Sequence, residues 1–166
     1  DGLVKAGTGR LILAGDNSAW NGGVTLNAGS LGIGDDGALG GAALTLGGDA
    51  SIFAFEDART IANDVDLGDS ALTITGENDL RLDGDLTQSG GDASVIVNAT
   101  GTVTFAGTGS DWAGGTTITS GDVVVEDSEA LGTGDITFSG GSLAAGVAGV
   151  DLDEAIVAAD RFTITG

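Results

Sequence analysis

The feature of this sequence that most restricts its fold is a run of apolar triplets at two alternating spacings. In each triplet the first and third places are mostly apolar, and the middle place is often polar. The steps between successive triplets alternate between 13 residues and 7 or 8 residues. The triplets begin at Leu11, Val24, Leu31, Leu44, Ile52, Val65 and Leu72, and again at Val103, Thr116, Val123, Ile136, Leu143 and Ile156.

Two such steps make a unit of about 20 residues, which is the signature of a solenoid. A strand alternates its side chains between two faces, so the first and third residues of a triplet point inward and the middle one outward. The middle residue is Thr at positions 25, 45, 73, 104, 137 and 163, and β-branched polar residues suit a solvated strand face. Leu11, Leu31, Ile52 and Leu72 are expected to stack in one column, and Val24, Leu44 and Val65 in another.

The sequence therefore predicts an all-β fold, a right-handed parallel β-helix (solenoid) with coils of about 20 residues. About eight coils at ~4.8 Å each would give a rod roughly 35–40 Å long. The spacing is less regular from Leu80 to Val97, which predicts one coil with a longer loop near residues 88–92 (QSGGD). No stretch shows the apolar period of an amphipathic helix.

The chain also contains a long internal duplication with an offset of 92 residues. The first copy reads GRLILAG at 9–15, WNGGVTLNAG at 20–29 and ALG at 38–40. The second reads GTVTFAG at 101–107, WAGGTTITSG at 112–121 and ALG at 130–132. We expect one β-helix segment, 1–166, that is a fragment of a longer repetitive chain, with internal copies at about 5–97 and 98–166.

The composition fits many tight turns around a thin core. The chain has 32 Gly and no Pro, Cys or Met, and its Asp and Glu number 25 against five Lys and Arg, a net charge of −20. Gly and Asp favour turns. A field this negative repels nucleic acid and anionic lipid, so no nucleic-acid partner is expected. No stretch of about 18 apolar residues is present, so direct membrane insertion is not expected either.

With Trp20 and Trp112, the Gly-Gly pairs that follow them and the two ALG sequences, the duplicated segments resemble the autotransporter-associated β-strand repeat. The resemblance covers most of residues 5–54 and 98–145. It implies a passenger-domain β-helix that is exported through the outer membrane of a Gram-negative-type cell and displayed outside it. It also implies a stalk or adhesin, because the repeat itself carries no catalytic residues.

No catalytic, cofactor-binding or metal-binding residue is predicted, and the chain is not expected to be an enzyme. His and Cys are absent, which removes imidazole bases and thiol nucleophiles. The strongest candidates for polysaccharide chemistry are Asp64 and Asp66 around Val65, and Asp83 and Asp85 near Arg81. Asp-x-Asp on a strand could bind Ca²⁺, but solvated loop acids are the ordinary interpretation. With so many acids, a pair at the spacing of a glycosidase has little value as a signal.

Three further patterns have a functional and a structural interpretation. The Gly-Gly-Asp sequences at 47–49 and 90–92 are isolated and do not form the Ca²⁺-binding nonapeptide unit, so only weak Ca²⁺ binding by surface Asp is compatible with them. Thr-x-Thr pairs such as Thr73 and Thr75 do not recur on successive coils as an ice-binding ladder requires, since Phe53 is expected one coil from Thr73. Trp20 and Trp112 are either sugar-stacking platforms or corner aromatics that cover the core.

The leading hypothesis is a structural or adhesive cell-surface segment, a stalk or adhesin that could form filaments. The alternatives are a glycan-binding adhesin module and a carbohydrate-active β-helix enzyme. Expected partners are other segments of the same long chain or like subunits end to end, and host or matrix glycans or proteins. The role of the two Trp residues is the observation that separates the adhesin module from the stalk.

Overall fold

A computed structural model describes residues 1–158 and 163–165, and all regular secondary structure in them is β-strand. Most strands are short because the chain turns a corner every few residues at Gly and Asp, whereas β12 and β13 each continue around one corner, where their register shifts. They are β1 (Leu3–Lys5), β2 (Arg10–Leu13), β3 (Val24–Leu26), β4 (Gly29–Ile33), β5 (Leu44–Leu46), β6 (Ala50–Ala54), β7 (Arg59–Ile61), β8 (Val65–Asp66), β9 (Ala71–Gly76), β10 (Leu80–Leu82), β11 (Leu86–Thr87), β12 (Ser94–Phe105), β13 (Thr116–Val125), β14 (Ile136–Phe138), β15 (Ser142–Ala145), β16 (Ile156–Ala158) and β17 (Thr163–Thr165).

The strands stack in three columns, which we call faces 1, 2 and 3. Face 1 is a five-stranded sheet in the order β1-β3-β5-β8-β11. Face 2 stacks eight strands in the order β2-β4-β6-β9-β12-β13-β14-β16. Face 3 runs through β7, β10, the second halves of β12 and β13, then β15 and β17. Every pairing is parallel, so the predicted parallel β-helix of about eight coils is confirmed.

Equivalent positions in neighbouring coils lie 20 to 23 residues apart, as the ladders Val24↔Leu44 and Leu72↔Val95 illustrate. The face 1 column of Val24, Leu44 and Val65 forms as predicted, and it continues to Leu86. Because each coil bonds to the coils above and below it, the backbone donors and acceptors of the strands are satisfied between coils and not within them.

The predicted face 2 column is wrong at one residue. Leu11, Leu31 and Ile52 stack as expected, but the residue above Ile52 is Ile74, and Leu72 lies above Ala50. The coil is two residues longer here than the triplet spacing indicates. For the same reason Thr73 has Ser51 and not Phe53 one coil below it, although the conclusion that no Thr ladder forms is unaffected.

The irregular stretch from Leu80 to Val97 contains a loop at the predicted place, since residues 88–93 separate β11 from β12, and it also contains strands on all three faces. Leu80–Leu82 forms β10 on face 3, Leu86–Thr87 forms β11 on face 1, and Val95 begins the core-facing part of β12 on face 2. The coils in the middle of the chain therefore carry strands on all three faces, whereas the described coils near each end have strands on two. The predicted boundary between residues 97 and 98 falls inside β12.

The core is one continuous column of mainly aliphatic side chains along the axis. Leu31, Ile52, Ile74, Val97 and Ile118 form successive steps of the face 2 ladder, and all are fully buried. The outward residues Thr25, Thr45, Thr73, Thr104 and Thr137 are only partly buried, as the alternation predicts. The predicted match of 162–166 to 72–76 includes Phe162 and Gly166, which lie outside the described residues.

We expect Ile118→Ala to lower the free energy of unfolding by about 2–5 kcal/mol, because it leaves a cavity in a column that has no second layer to collapse into it. Ile118 is fully buried at the centre of β13. The neighbouring Thr117 points outward, and Thr117→Ala should change stability by about 0.5 kcal/mol or less. Chemical denaturation followed by circular dichroism measures both values, and equal losses would contradict the assignment of inward and outward positions.

Candidate functional site

The corner that precedes each ALG sequence has the same hydrogen bonds in both copies. In the first copy the Asp35 carboxylate accepts the N–H of Gly37 at 2.8 Å, and the Asp35 carbonyl accepts that of Ala38 at 3.0 Å. In the second copy Asp127 accepts from Glu129 at 2.9 Å and from Ala130 at 3.3 Å. These Asx turns follow from Asp at the first turn position. They direct the next two residues, Ala-Leu in each copy, into the core.

The Gly of each ALG sequence lies directly against a Trp of the coil below. Gly40 and Gly132 have φ values of 75° and 73°, a conformation that side chains other than Gly rarely adopt. A Cβ added at either position would lie 2.5 Å from the carbonyl oxygen of Trp20 or of Trp112. The same carbonyls accept N–H bonds from the residues after these glycines, Gly41 at 2.8 Å and Thr133 at 2.9 Å. The family-like sequence therefore encodes a fixed contact between coils.

The two indoles have different environments. Trp112 is completely buried, packs against Phe105 with ring centroids 6.3 Å apart, and donates from Nε1 to Thr116 Oγ1 at 3.2 Å. A sugar-stacking role for Trp112 is therefore wrong, because no ligand can reach the ring. Trp20 is half-buried against the core and donates from Nε1 to the Asp1 carbonyl at 3.3 Å. The residue of the first copy that corresponds to Thr116 is Val24, which has no hydroxyl to accept a hydrogen bond from the Trp20 ring.

Each corner carries an open groove, and the two grooves are equivalent. The groove of the first copy, about 450 Å³, is lined by Ser18, Asp36, Gly40 and Ala62 among others. The groove of the second copy, about 540 Å³, is lined by Ser110, Ser128, Gly132 and Glu154 among others. Each of these four pairs is separated by 92 residues. The second groove also contains Asp111, Glu129, Asp151 and Asp153, so the copies share a shape and differ in charge.

The acids that the sequence singled out accept hydrogen bonds from the backbone. Asp64 accepts the N–H of Asp85 in the next coil at 3.1 Å, and Asp66 accepts that of Gly68 in its own turn at 2.9 Å. Asp85 accepts from residues 108 and 109 of the next coil at 2.8 and 2.9 Å. The carboxylates therefore close turns and extend the ladders past the ends of the strands. No group of three or more metal-ligating side chains occurs among the residues that the structure describes.

Asp83 belongs instead to an ion-pair cluster on the outer surface of face 3. Arg81 donates from Nε to Asp83 at 2.6 Å, and from its two terminal nitrogens to Glu126 at 2.8 and 2.7 Å. The fork of the guanidinium matches a carboxylate, so the pair with Glu126 is bidentate. Its hydrogen bonds lower the pKa of Glu126 and raise that of Arg81. Sequence reasoning missed Glu126, because it lies 45 residues away and only coil stacking brings it near.

Lys5 is a second residue whose role was missed. It occupies a core-facing position of face 1, paired with Leu26, and it is buried. Its ammonium group donates to the carbonyls of Gly7 at 2.7 Å, Ala28 at 2.9 Å and Ala6 at 3.3 Å. The equivalent residue of the second copy, Val97, is aliphatic. Lys5 therefore bonds to backbone carbonyls in the first described coil. Val97, its equivalent in the second copy, packs in the apolar core instead.

Comparison with known proteins identifies the repeat. Residues 3–33 and 100–125 match the family described as the passenger-associated-transport-repeat. The matched segments end at corresponding positions of the two copies, 33 and 125, and lie mostly within the ranges that the resemblance covers. The predicted resemblance is confirmed.

A curated relative also matches nearly the whole chain. It is named an adhesin BmaC autotransporter, from Brucella suis biovar 1 (strain 1330), and is 31% identical over 178 residues. The match covers 99% of this chain and 5% of the relative, so the chain spans about a twentieth of that protein's length. No solved structure matches.

The ion pair predicts how stability responds to pH. Because Arg81 lowers the pKa of Glu126 in the folded state, the pair stabilises the fold above the unfolded-state pKa of Glu, about 4.3, and this contribution is lost as the pH falls through the lower folded value. Both side chains are partly exposed, so we expect Glu126→Gln to cost only about 0.5–1 kcal/mol at pH 7. The cost should shrink toward zero in acid.

Denaturant titrations at pH 7 and pH 3 measure this difference. Glu129→Gln is the matched control, because it removes the same charge from an exposed side chain that has no ion pair among the described residues. A loss for Glu126→Gln that is the same at both pH values would show that the ion pair does not contribute.

The corner contact predicts a difference between two glycines with the same backbone conformation. Gly7 and Gly132 have φ values of 75° and 73°, but a Cβ at position 7 would have no atom within 4 Å. Gly7→Ala should cost about 1–2 kcal/mol from conformation alone. Gly132→Ala should cost more, since the Cβ also meets the Trp112 carbonyl. Thermal unfolding of the two variants measures the difference. Equal costs would show that the contact with the Trp112 carbonyl does not add to the effect of the substitution.

Proposed function

We propose that this chain, which is an autotransporter passenger repeat segment, acts as a structural and adhesive rod within a much longer protein. The repeat and the autotransporter relative show that a segment of this kind is exported and lies at the cell surface. The name of the relative is that of an adhesin. These similarities favour a role that is not catalytic.

The observation that carries the proposal is the continuity of the stacking. Face 2 runs through eight coils without an antiparallel pair, and the buried aliphatic residues form one cluster along the axis. Each coil contacts mainly its neighbours, so added coils lengthen the rod without a change in its cross-section. Such an element holds other parts of a protein at a fixed distance from the membrane.

The hydrogen bonds of the acidic side chains support our proposal that the chain is not an enzyme and has no cofactor. Asp64, Asp66 and Asp85 hold the backbone of turns and coils, and Asp83 binds Arg81. We propose no catalytic, cofactor-binding or metal-binding residue in the chain. The remaining carboxylates would bind Ca²⁺ weakly, as a counter-ion atmosphere at a net charge of −20 and not at a fixed site.

A glycan-binding adhesin module remains the second candidate, and one observation favours it. Trp20 is half-buried at the rim of the first corner, so part of its ring is available for stacking on a sugar. If Trp20 stacks on one sugar of a host or matrix glycan, the groove beside Ser18 and Asp36 would hold the neighbouring sugars.

The partners that the coil ends favour are further coils, from the same long chain or from like subunits end to end. Ile156 and Ile164 continue core-facing ladders, yet 44% and 55% of their surface is exposed. They line an apolar cavity of about 300 Å³ with Val125, Leu143 and Leu152. Stacking another coil there would bury this surface and pair the strand edges.

The rod hypothesis predicts the dimensions of a lengthened chain. We expect a chain in which residues 5–96 are repeated once to be longer by roughly 20 Å, at ~4.8 Å for each added coil, with an unchanged cross-section. Position 97 is equivalent to position 5, so the insertion joins matching parts of the repeat. Small-angle X-ray scattering, with and without Ca²⁺, gives both the maximum dimension and the radius of the cross-section. An increase in both, as for a growing globule, would contradict the stalk.

A further inference from the structure

The two copies of the repeat lie on different faces of the solenoid. Leu31, which leads into the first corner, belongs to the face 2 ladder that passes through Ile52, Ile74 and Val97 to Ile118. Its counterpart in the second copy is Val123, which pairs with Val103 on face 3. The strand after the corner shifts in the same way, because Leu44 is on face 1 and its counterpart Ile136 is on face 2.

The local structure of the copies is nevertheless the same, so the shift is a rotation of the whole unit. The Asx turns at Asp35 and Asp127, the glycines at 40 and 132, and the grooves beside them all correspond. In the first copy the corner lies over face 3, where Asn63 of the next coil donates to the Gly40 carbonyl at 2.9 Å. In the second copy it lies over face 1, where Asp111 accepts the N–H of Gln88 at 2.8 Å.

The rotation originates in the coils between the copies. Copy coils carry strands on two faces and a corner on the third. The middle coils fill every face, through β8, β9 and β10 and then through β11 and the two halves of β12. A repeat that resumes after these coils therefore starts one face later. At about 21 residues a coil, an offset of 92 residues is about four and one-third turns.

We infer that the coils between the copies rotate the repeat by one face, so that equivalent corner grooves are displayed toward different sides of the rod. Copies linked in this way would return to the first face after three units and thirteen turns. A passenger built from them would offer the shared shape of the corner groove in three directions, and a contact that requires only this shape would not depend on how the rod is turned about its axis. The display of grooves in several directions has a function only if the chain is part of an exported rod, and it therefore rests on the proposed function. The rotation of the second copy relative to the first does not rest on it.

Pairs of spin labels test the inference, since the chain has no Cys to interfere. Asn21→Cys with Ala113→Cys labels equivalent exposed residues next to the two Trp residues. Ser51→Cys with Thr137→Cys is the control, because these two residues lie on the outside of face 2 four ladder steps apart. The axial separations of the two pairs are similar, roughly 21 and 19 Å at ~4.8 Å per coil.

Double electron–electron resonance gives the distances. We expect the distance between the labels at positions 21 and 113 to exceed that of the control pair by roughly 5–10 Å. The labels of the first pair lie on different faces of a solenoid about 10 Å thick, so they are also separated perpendicular to its axis. Equal distances would place both corners on one side and overturn the rotation, while the rod measured by scattering would stand. Unfolding curves of both double variants confirm that the labelled chains are folded.

Discussion

The parallel hydrogen bonds between successive coils are the constraint on which the rest of this structure depends. No coil could bury its aliphatic side chains by itself, because its inward residues form only one layer. Stacking brings Val24 over Leu3 and under Leu44, and the same step repeats through the chain. Side-chain carboxylates continue these ladders where strands end, as Asp49 does for the N–H of Ala71 at 2.8 Å and Asp79 for that of Thr102 at 2.7 Å. The corners are thereby held almost as regularly as the faces.

This use of Asp accounts for part of the acidic composition. A carboxylate is a strong acceptor for the backbone N–H of the next coil, and at a corner it keeps one oxygen in water. The same residues leave the surface strongly negative, which disfavours nucleic acid and anionic lipid as partners. Lys5 lies among the carbonyls of an end coil and Arg81 lies between two carboxylates, while Arg10 lies over the Phe53 ring at 4.0 Å and Arg59 beside Asp57 at 3.6 Å. The charge pattern therefore serves solubility and coil stacking together.

Function in such a molecule lies in where surfaces are placed along and around the rod. The length is set by the number of coils, and the direction of each corner is set by the number of strands in the coils before it. The elements that the two copies share, Trp and the ALG sequence, form contacts between coils in the second copy, where Trp112 is buried and Gly132 lies against it. They hold the corner in place, and the residues that vary between the grooves, such as Ala62 and Glu154, are the ones free to differ in what they contact.

The sequence by itself determined the class of fold, the inward and outward residues and the family. The first two follow from short-range pattern, because the period of two in a strand and the spacing of coils are visible in the chain. The family follows from the resemblance carried by the Trp, Gly-Gly and ALG sequences. Tertiary structure decided the register of Leu72 over Ala50, the partner of Arg81 and the burial of Trp112, since each depends on which residues a neighbouring coil brings alongside. It also decided the faces on which the two copies lie. Triplet spacing counts residues along the chain, whereas the face of a strand depends on how many corners the chain has turned. The extra strands of the middle coils, such as β10, change that number, and the irregular spacing from Leu80 onward does not show by how much.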